Sequence, residues 1–389
     1  MSNMNQKMEA AEQVLLHTYN RSKVVFDHGK GVYLYDTDGK EYLDFAAGIA
    51  VCSLGYGNET YTDALKAQVD KLLHVSNLYY NEPTTEAAKK LLKASGMDRV
   101  FFTNSGTEAI EGALKAARKY SYNKYGTERY EIIAMNHSFH GRSMGALSVT
   151  GTEKYRTPFE PLIGGVKFAD FNDFASVKAA VTDKTCAILM ETVQGEGGIY
   201  PAKPEFLQSV KALCEEKDIL LIIDEVQTGV GRSGELFAFQ RFDIEPDIVT
   251  TAKGLGGGLP LGCVIFSEKT KDVLTKGDHA TTFGGSPVAT KGAEYILTRL
   301  DADFLKAVKE KGDYITQRVL KMPHVEGVDG MGLMLGIRLD ETVKSADVVR
   351  KGIDEGVLLL TAKAKARLLP PLSITYDEID KGLAAMERA

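Results

Sequence analysis

Two segments carry a carboxylate and a lysine whose types and order suit chemistry on a nitrogen heterocycle. Asp224 ends the apolar run that begins at Leu220, and Lys253 stands downstream, immediately before a glycine-rich turn. A carboxylate can hold a ring nitrogen protonated, and a lysine amine can close a Schiff base on an aldehyde. The pair therefore predicts pyridoxal phosphate chemistry, in which the ring serves as an electron sink.

Each half of this pair also has an ordinary explanation. A strand that ends in Asp-Glu, as at Asp224 and Glu225, often faces a magnesium ion in α/β enzymes, and a lysine before glycines often stands at a solvated helix end. Taken alone, Asp224 or Lys253 favours these ordinary explanations. The pyridoxal phosphate interpretation therefore depends on further residues that could hold the phosphate and the ring.

Residues 103–109 offer a site for the phosphate group. They follow an apolar stretch and open a helical one, so Ser105, Gly106 and Thr107 would present backbone N–H groups and hydroxyls at a helix start. Ser105 and Glu108 also have the S-x-x-E spacing of a capping box. The two roles are compatible, and the sequence leaves both open.

Two apolar side chains are candidates for the faces of the ring. Phe139 could lie flat on one face and Val226 could cover the other, although a core phenylalanine is the commoner outcome. His137 and His140 are too isolated from other ligand types to form a closed metal site. No metal is predicted.

Composition excludes several other classes of function. The chain has 389 residues and a formal net charge of −6, with no clustered basic run, which argues against nucleic-acid binding. No stretch is apolar enough to span a membrane, and the first residues lack the apolar core of a signal peptide. Four widely spaced cysteines suggest thiols of a reducing compartment. We therefore expect a cytoplasmic protein.

Strand and helix patterns alternate between about residues 60 and 280. The clearest predicted strands are 100–103, 132–135, 186–190, 219–223, 248–251 and 263–267, and the clearest helices are 108–120 and 204–217. Continuous apolar strands separated by helices indicate a mostly parallel central sheet flanked by helices, with ligands at the carboxyl ends of the strands.

The two ends of the chain have a different pattern. Residues 33–45 alternate around an Asp-Gly turn and predict a β-hairpin. A long helical stretch is expected from Ala289 to about Lys321, followed by paired strands over 327–339. We expect residues 1–60 and 281–389 to form a smaller α+β domain, and 61–280 to form a large cofactor-binding α/β domain.

Over nearly its whole length the chain resembles the class III, fold-type-I aminotransferases, and among them the acetylornithine aminotransferases. The matching segments, in family order, are 36–44, 44–51, 74–80, 104–109, 139–142, 194–196, 224–229, Lys253, 281–285 and 367–371. The resemblance implies a fold-type-I enzyme that uses pyridoxal 5'-phosphate. It implies a ping-pong transfer of the δ-amino group of N-acetylornithine to 2-oxoglutarate, which gives glutamate and N-acetylglutamate semialdehyde in arginine biosynthesis.

The resemblance also assigns roles to residues. It implies that Lys253 binds the cofactor covalently and shuttles the proton, that Asp224 pairs with the ring nitrogen, and that Gln227 bonds the phenolic oxygen. Phe139 and Val226 would sandwich the ring. The remaining cofactor contacts implied by the family are Ser105, Gly106, Thr107 and, from the partner subunit, Thr282.

A contact supplied by the partner subunit would make a homodimer obligatory for activity, because the active sites would be shared. By the same resemblance, Asn77 and Tyr79 would lie near the subunit interface and the neighbouring site. Asn77 is therefore placed among the substrate-binding residues.

Three charged residues are implied in substrate binding. Glutamate carries two carboxylates and therefore needs two cationic anchors, for which Arg142 and Arg367 are the candidates. The amine donor carries one carboxylate and needs only one anchor. We hypothesise that Glu196 pairs with Arg367 during the first half-reaction and swings away when glutamate or 2-oxoglutarate enters, because a buried unpaired guanidinium is costly.

Ile49 narrows the choice of donor. Ornithine aminotransferases resemble this segment but place a tyrosine there to grip the free α-amino acid end of ornithine. An apolar residue suits an acylated nitrogen better, because no ammonium has to be solvated. The residues therefore favour N-acetylornithine.

Other activities remain open. The donor could be succinylornithine, succinyldiaminopimelate, ornithine, 4-aminobutyrate or putrescine, although Arg142 argues against the last. A same-fold aminomutase or racemase would need no 2-oxoglutarate. A non-catalytic homologue is a poor explanation, because Lys253, Asp224 and both arginines are present.

Overall fold

A computed structural model describes residues 3–389 of the chain. In chain order the strands are β1 (Phe26–Lys30), β2 (Tyr33–Asp36), β3 (Glu41–Asp44), β4 (Arg99–Thr103), β5 (Glu131–Met135), β6 (Val166–Ala169), β7 (Thr185–Glu191), β8 (Val193–Gln194), β9 (Tyr200–Pro201), β10 (Leu220–Asp224), β11 (Ile248–Thr251), β12 (Gly262–Phe266), β13 (Val325–Met331), β14 (Met334–Leu339), β15 (Val357–Leu358), β16 (Leu360–Ala362) and β17 (Lys365–Leu368).

The helices separate most of these strands. In chain order they are α1 (Asn3–Val14), α2 (Ala47–Ala50), α3 (Glu59–Lys71), α4 (Glu82–Ser95), α5 (Gly106–Tyr125), α6 (Met144–Ser148), α7 (Glu153–Arg156), α8 (Phe174–Ala180), α9 (Pro204–Lys217), α10 (Pro287–Arg299), α11 (Ala302–Val319), α12 (Ser345–Asp354) and α13 (Tyr376–Arg388). Short 3₁₀ helices span Gly126–Glu128, Thr157–Phe159, Ala238–Phe242 and Lys253–Gly256. None of the helices in residues 3–389 is long and apolar enough to cross a membrane.

Seven strands form the central sheet, in the order β4-β12-β11-β10-β7-β5-β6. All neighbouring pairs from β11 to β6 are parallel, whereas β12 runs antiparallel to both β11 and β4. The expected mostly parallel α/β sheet is confirmed. Strand β6 is not among the predicted strands, because it is short and Lys167 interrupts its apolar residues.

Burial on both faces explains the continuous apolar strands. Leu220 and Ile222 of β10 pack in the cluster that contains α5, whereas Leu221 and Ile223 pack on the other face in the cluster that contains α9. A strand covered on both faces carries apolar residues at every position. The same geometry brings Asp224 to the carboxyl end of the sheet.

Two smaller four-stranded sheets lie outside the central sheet, and the first of them combines both ends of the chain. Strand β15 pairs in parallel with β3 and joins the sheet β1-β2-β3-β15, while β13-β14-β17-β16 form an antiparallel sheet. The predicted hairpin is β2–β3. The smaller α+β part is therefore built from both termini. The boundaries near residues 60 and 280 stay a prediction.

The expected long helix between residues 289 and 321 is wrong in one respect. Two helices, α10 and α11, occupy this stretch, separated by Leu300 and Asp301. The Asp301 side chain accepts a hydrogen bond from Phe304 N and caps α11. Aspartate at this position satisfies a free N–H of a new helix and so favours a break.

Candidate active site

The candidate site is a cavity of about 490 Å³ at the carboxyl end of the central sheet. Asp224 ends β10 and Glu191 ends the adjacent β7, and the two residues are register partners. The cavity wall brings together most of the sequence-predicted site residues, namely Ser105, Gly106, Thr107, Phe139, Arg142, Glu196, Asp224, Val226, Gln227 and Lys253.

Lys253 follows β11 and opens a 3₁₀ helix on the cavity wall. Its φ of +44° lies in the left-handed region, which costs a non-glycine residue energy and is found mainly at functional sites. Burial lowers the pKa of the amine, while the nearby Glu196 and Asp224 carboxylates oppose that shift. Lowering this pKa raises the neutral, nucleophilic fraction of the amine.

Asp224 is buried and held from three directions. Its Oδ2 lies 2.7 Å from His140 Nδ1, and its Oδ1 accepts hydrogen bonds from Val226 N at 2.9 Å and Thr250 Oγ1 at 3.3 Å. Because an ionised carboxylate only accepts, Nδ1 must carry the proton that it donates. The carboxylate is thus fixed against the cavity.

Glu191 is a second buried carboxylate, which the sequence analysis missed. Burial raises its pKa to about 7. Its oxygens accept hydrogen bonds from Phe139 N at 3.2 Å and Gly195 N at 3.1 Å. One side chain therefore connects the backbone of the proposed ring-face residue with the turn that carries Glu196.

His140, whose isolation in the sequence argues against a metal site, pairs with Asp224. Its Nε2 is buried without a hydrogen-bond partner within residues 3–389. The one indication in the sequence that His140 belongs to the site is its position directly after Phe139, a predicted ring contact. No periodicity relates residue 140 to residue 224, however, so only the fold could show this pair.

The N-terminus of α5 points into the cavity. Ser105 caps the helix through Glu108 N, at 3.3 Å, as the capping-box spacing predicts. The N–H groups of Gly106 and Thr107 precede the first intrahelical bonds and are free for an anion. A Cβ on Gly106 would lie 2.7 Å from Val226 Cγ1, so glycine lets the helix start approach the proposed ring clamp.

Arg367, Glu196 and Gln227 form a buried polar group at one side of the cavity. Arg367 Nη1 donates to Glu196 Oε1 at 2.5 Å and to Gln227 Oε1 at 3.2 Å, and Gln227 Nε2 donates to Glu196 at 3.3 Å. Burial alone would raise the pKa of Glu196, but the charge and hydrogen bond of Arg367 outweigh it and lower that pKa. The predicted Arg367–Glu196 partnership is thus present in the fold.

Arg142 lines the cavity in a different setting. Its guanidinium lies 3.9 Å from the centroid of the Tyr155 ring and 5.5 Å from that of Phe139. Within residues 3–389 no carboxylate lies within ion-pair distance of it. It is therefore a cation on the cavity wall that is available to an anionic ligand, with Tyr155 as a stacking partner that sequence reasoning missed.

Three predicted site residues do not line this cavity, although one of them, Arg367, bonds Glu196 and Gln227, which do. Asn77 is exposed and its Nδ2 donates to the carbonyls of Thr281 at 3.3 Å and Gly284 at 2.8 Å. Thr282 lies in the loop that Asn77 holds, and its side chain is exposed. Neither residue contributes to the cavity of its own chain.

The segment around Ile49 adopts an unusual turn. Ala47, Gly48, Ile49 and Ala50 all have φ between 46° and 65°. Asp44 Oδ1 accepts hydrogen bonds from Ala46 N at 2.7 Å and Ala47 N at 3.0 Å. The turn places Val51 on the cavity wall, whereas Ile49 is 44% exposed.

Within residues 3–389, no three histidine, cysteine, aspartate or glutamate side chains are arranged so that together they could hold a metal ion.

Comparison with known proteins identifies relatives over nearly the whole chain. A family model described as aminotransferase class-III matches residues 16–389. The acetylornithine aminotransferase of Haemophilus ducreyi is 46% identical over 373 residues, which cover 96% of this chain and 95% of that protein. That of Aquifex aeolicus is 45% identical over 374 residues, covering 96% and 98%.

Solved structures agree with these relatives. The ornithine aminotransferase of Toxoplasma gondii superposes with a TM-score of 0.94 at 30% identity and covers 100% of this chain and 95% of its own. The N-acetylornithine aminotransferase of Stenotrophomonas maltophilia has a TM-score of 0.84 at 33% identity and covers 98% and 97%. The fold is thus that of the fold-type-I aminotransferases.

Proposed function

This chain belongs to the class III aminotransferases, which depend on pyridoxal 5'-phosphate, and we propose that it transfers the δ-amino group of N-acetylornithine to 2-oxoglutarate. The observation that carries the proposal is the pairing of Arg367 with Glu196 while Arg142 remains free on the cavity wall. That arrangement presents one available cation, which suits a donor with one carboxylate. Relatives named acetylornithine aminotransferase support the choice of donor.

The cavity residues fit the cofactor by their chemistry. The start of α5 supplies free N–H groups for a phosphate, and Phe139 and Val226 supply apolar surfaces for a ring. Asp224, fixed by His140, supplies a negative charge for a ring nitrogen. Lys253 supplies a buried amine with a lowered pKa on the same wall.

When bound, pyridoxal 5'-phosphate supplies an aldehyde that takes up amino groups and a ring that accepts electrons. Lys253 would hold the cofactor covalently and, once displaced, would move a proton between its Nζ and the carbon next to the transferred nitrogen. Asp224 would hold the proton on the ring nitrogen. Gln227 would turn from Arg367 to the phenolic oxygen of the ring.

In the first half-reaction, Arg142 would bind the α-carboxylate of N-acetylornithine through its guanidinium fork. Glu196 would keep Arg367 neutralised, so that a second carboxylate is not required in the donor. Val51, which the turn at Ile49 places on the cavity wall, would offer apolar surface on the side of the acylated nitrogen. The neutral acetamide needs no counter-charge there.

In the second half-reaction, 2-oxoglutarate brings two carboxylates. Arg142 would bind the distal one, and Arg367 would bind the other after Glu196 has rotated away. The desolvated Arg367 exchanges one carboxylate partner for another, so it is not left buried and unpaired. Glutamate is the product of this half-reaction.

The active enzyme would be a homodimer with shared sites. Large apolar side chains around Asn77 and Thr282 are exposed, namely Leu73, Leu78, Tyr79, Tyr80 and Phe283. Several exposed apolar side chains close in sequence to these two residues favour a second copy as their partner. Thr282 would then reach the phosphate bound in the partner's cavity, and Asn77 would hold its loop in place.

The four cysteines are free, which supports location in the cytoplasm, where thiols remain reduced.

Ornithine is the second candidate donor, because an ornithine aminotransferase superposes with a TM-score of 0.94. The Ile49 side chain stands against it, since it offers no hydrogen-bond acceptor to the free ammonium of ornithine. Discrimination between the two donors would therefore depend on the turn at residues 47–50.

A panel of amine donors would test the proposal. The holoenzyme is mixed in a stopped-flow spectrometer with N-acetylornithine, N-succinylornithine, succinyldiaminopimelate, ornithine, 4-aminobutyrate or putrescine, and the cofactor absorbance is followed. We expect N-acetylornithine to give the highest kcat/KM, with glutamate appearing only when 2-oxoglutarate is added. A reaction that needs no 2-oxoglutarate would instead indicate an isomerase, and a faster reaction with ornithine would overturn the donor assignment.

A further inference from the structure

Strand β17 directs two buried cations toward the same neighbouring hairpin. Lys365 and Arg367 are two residues apart on the strand, so their side chains point to the same face of the sheet. Their exposed fractions are 5% and 3%. The hairpin is formed by β8 and β9, and the turn between these strands, residues 195–199, carries Glu196. Arg367 holds the tip of this turn through its ion pair with Glu196.

Lys365 contacts the base of the same turn. Its Nζ donates to the carbonyl oxygen of Ile199 at 3.2 Å and lies 3.7 Å from the centroid of the Tyr200 ring. Asp329 Oδ2 lies 2.8 Å from this Nζ, and the other oxygen of Asp329 accepts a hydrogen bond from Arg338 at 2.6 Å. The Lys365 ammonium is thus ion-paired with Asp329 while it contacts the backbone and an aromatic ring of the hairpin.

Ile199, whose carbonyl accepts the Lys365 hydrogen bond, has an unfavourable backbone conformation. Ile199 is fully buried and has φ +52°, in the left-handed region that β-branched residues rarely adopt. A Cβ on Gly336, the register partner of Arg367, would lie 2.8 Å from Ile199 Cβ. Such a conformation persists only where its surroundings enforce it. The Lys365 hydrogen bond is one of the contacts that enforce it.

We propose that Lys365 is a positioning residue that anchors the base of the Glu196 turn on the strand that carries Arg367. With the base fixed, Glu196 meets Arg367 at a set distance, and the exchange of partners at Arg367 is a rotation of one side chain. The inference rests on the proposed function only for the identity of the amine donor. The competition between Glu196 and an incoming carboxylate does not depend on that identity.

Loss of the Lys365 contacts should change the binding of dicarboxylates and the reaction of the monocarboxylate donor in opposite directions. A loose turn must be ordered each time Glu196 pairs with Arg367, so Glu196 competes less well with a substrate carboxylate. Dicarboxylates should therefore bind more tightly and the monocarboxylate donor should react less efficiently. A merely structural role for Lys365 would change both in the same direction.

Glutarate, an unreactive dicarboxylate of the same length as 2-oxoglutarate, reports this competition without turnover. We expect the Lys365→Met holoenzyme to bind glutarate about fivefold more tightly than the wild type, a change that corresponds to about 1 kcal/mol. The kcat/KM of the N-acetylornithine half-reaction should fall. Asp329→Asn, which keeps the side-chain shape, should shift glutarate affinity in the same direction by a smaller factor.

A double-mutant cycle separates positioning from general damage. In a Glu196→Gln background, Lys365→Met should change glutarate affinity by less than about twofold, because the charge that Lys365 positions is gone. Lys269→Met is the matched control, since Lys269 also pairs with aspartates and lies over the Tyr120 ring, on a different part of the fold. It should leave glutarate affinity unchanged.

An unchanged or weaker glutarate affinity in Lys365→Met, or an equal effect in both Glu196 backgrounds, would overturn the proposal. If the wild type fails to react with N-acetylornithine, the proposed function fails instead. The glutarate measurements still decide the role of Lys365 in that case.

Discussion

His140 Nδ1 and Asp224 Oδ2 lie 2.7 Å apart, and both side chains are almost completely buried. Asp224 is the residue that we expect to face the ring nitrogen, and His140 donates the hydrogen bond that fixes its orientation. The proposed ring contact is therefore made by a pair of side chains and not by one.

Removing this hydrogen bond should weaken both catalysis and cofactor retention. His140→Leu deletes the donor, and we expect kcat to fall about tenfold to a hundredfold, the effect of losing a charge-assisted hydrogen bond. His140→Asn is the matched variant, because its amide can donate from near the Nδ1 position. Steady-state kinetics and the cofactor absorbance remaining after dialysis would check this, and equal losses in the two variants would contradict it.

Glu196→Ala should affect the two half-reactions unequally. Without its partner, Arg367 attracts carboxylates in both half-reactions, so we expect kcat/KM for N-acetylornithine to fall about tenfold while that for 2-oxoglutarate is maintained or rises. Single-turnover measurements of each half-reaction would show the difference. Glu355→Ala, which removes an exposed carboxylate paired with Arg388, is the control. Equal losses in both half-reactions would refute the exchange at Arg367.

Mixed dimers test whether Thr282 acts on the partner's site. Lys253→Ala subunits should be inactive, and Thr282→Ala subunits should bind the cofactor weakly because a phosphate contact is lost. A heterodimer of the two would contain one site with both a native Lys253 and a native Thr282 from the other subunit. We therefore expect about half of wild-type activity in purified heterodimers at limiting cofactor.

The same experiment has a clear opposite outcome. If Thr282 served its own chain, the only site with a native Lys253 would also carry the Thr282→Ala change. Activity of the heterodimer would then be no higher than expected from the Thr282→Ala homodimer alone.

Glu191 should make stability depend on pH. Burial raises its pKa from 4.5 to about 7, so the folded protein binds a proton there that the unfolded chain releases between these values. The free energy of unfolding should fall as pH rises through this range, by about 3 kcal/mol in total, and stay constant above it. Urea denaturation at about pH 5 and pH 8 gives the free energy of unfolding at each pH. We expect it to fall less with rising pH in Glu191→Gln than in the wild type.

Glu225→Gln provides the comparison for this measurement. Burial also raises the pKa of Glu225 to about 7, and its oxygens bond Thr228 and Phe239 N, not residues of the proposed ring clamp. Both variants should reduce the pH dependence of stability. Only Glu191→Gln should also change the pH profile of kcat, because Glu191 bonds Phe139 N and Gly195 N.

Local patterns were sufficient for much of the fold. The apolar run before Asp224, the helix over residues 204–217 and the Asp-Gly hairpin each depend on neighbouring residues, and each was predicted close to its observed bounds. The break between α10 and α11 was missed, because a single capping aspartate interrupts an otherwise continuous helical pattern.

The chain's own sequence determined the residue types at the site and, through parallel strands of similar length, the edge at which Asp224 would lie. Tertiary structure alone decided the partners. His140 with Asp224, Glu191 with Phe139 N and Gly195 N, and Lys365 with Ile199 are contacts between segments far apart in the chain. The physical reason is that hydrogen-bond partners are set by where separate elements pack, and no local periodicity encodes that distance.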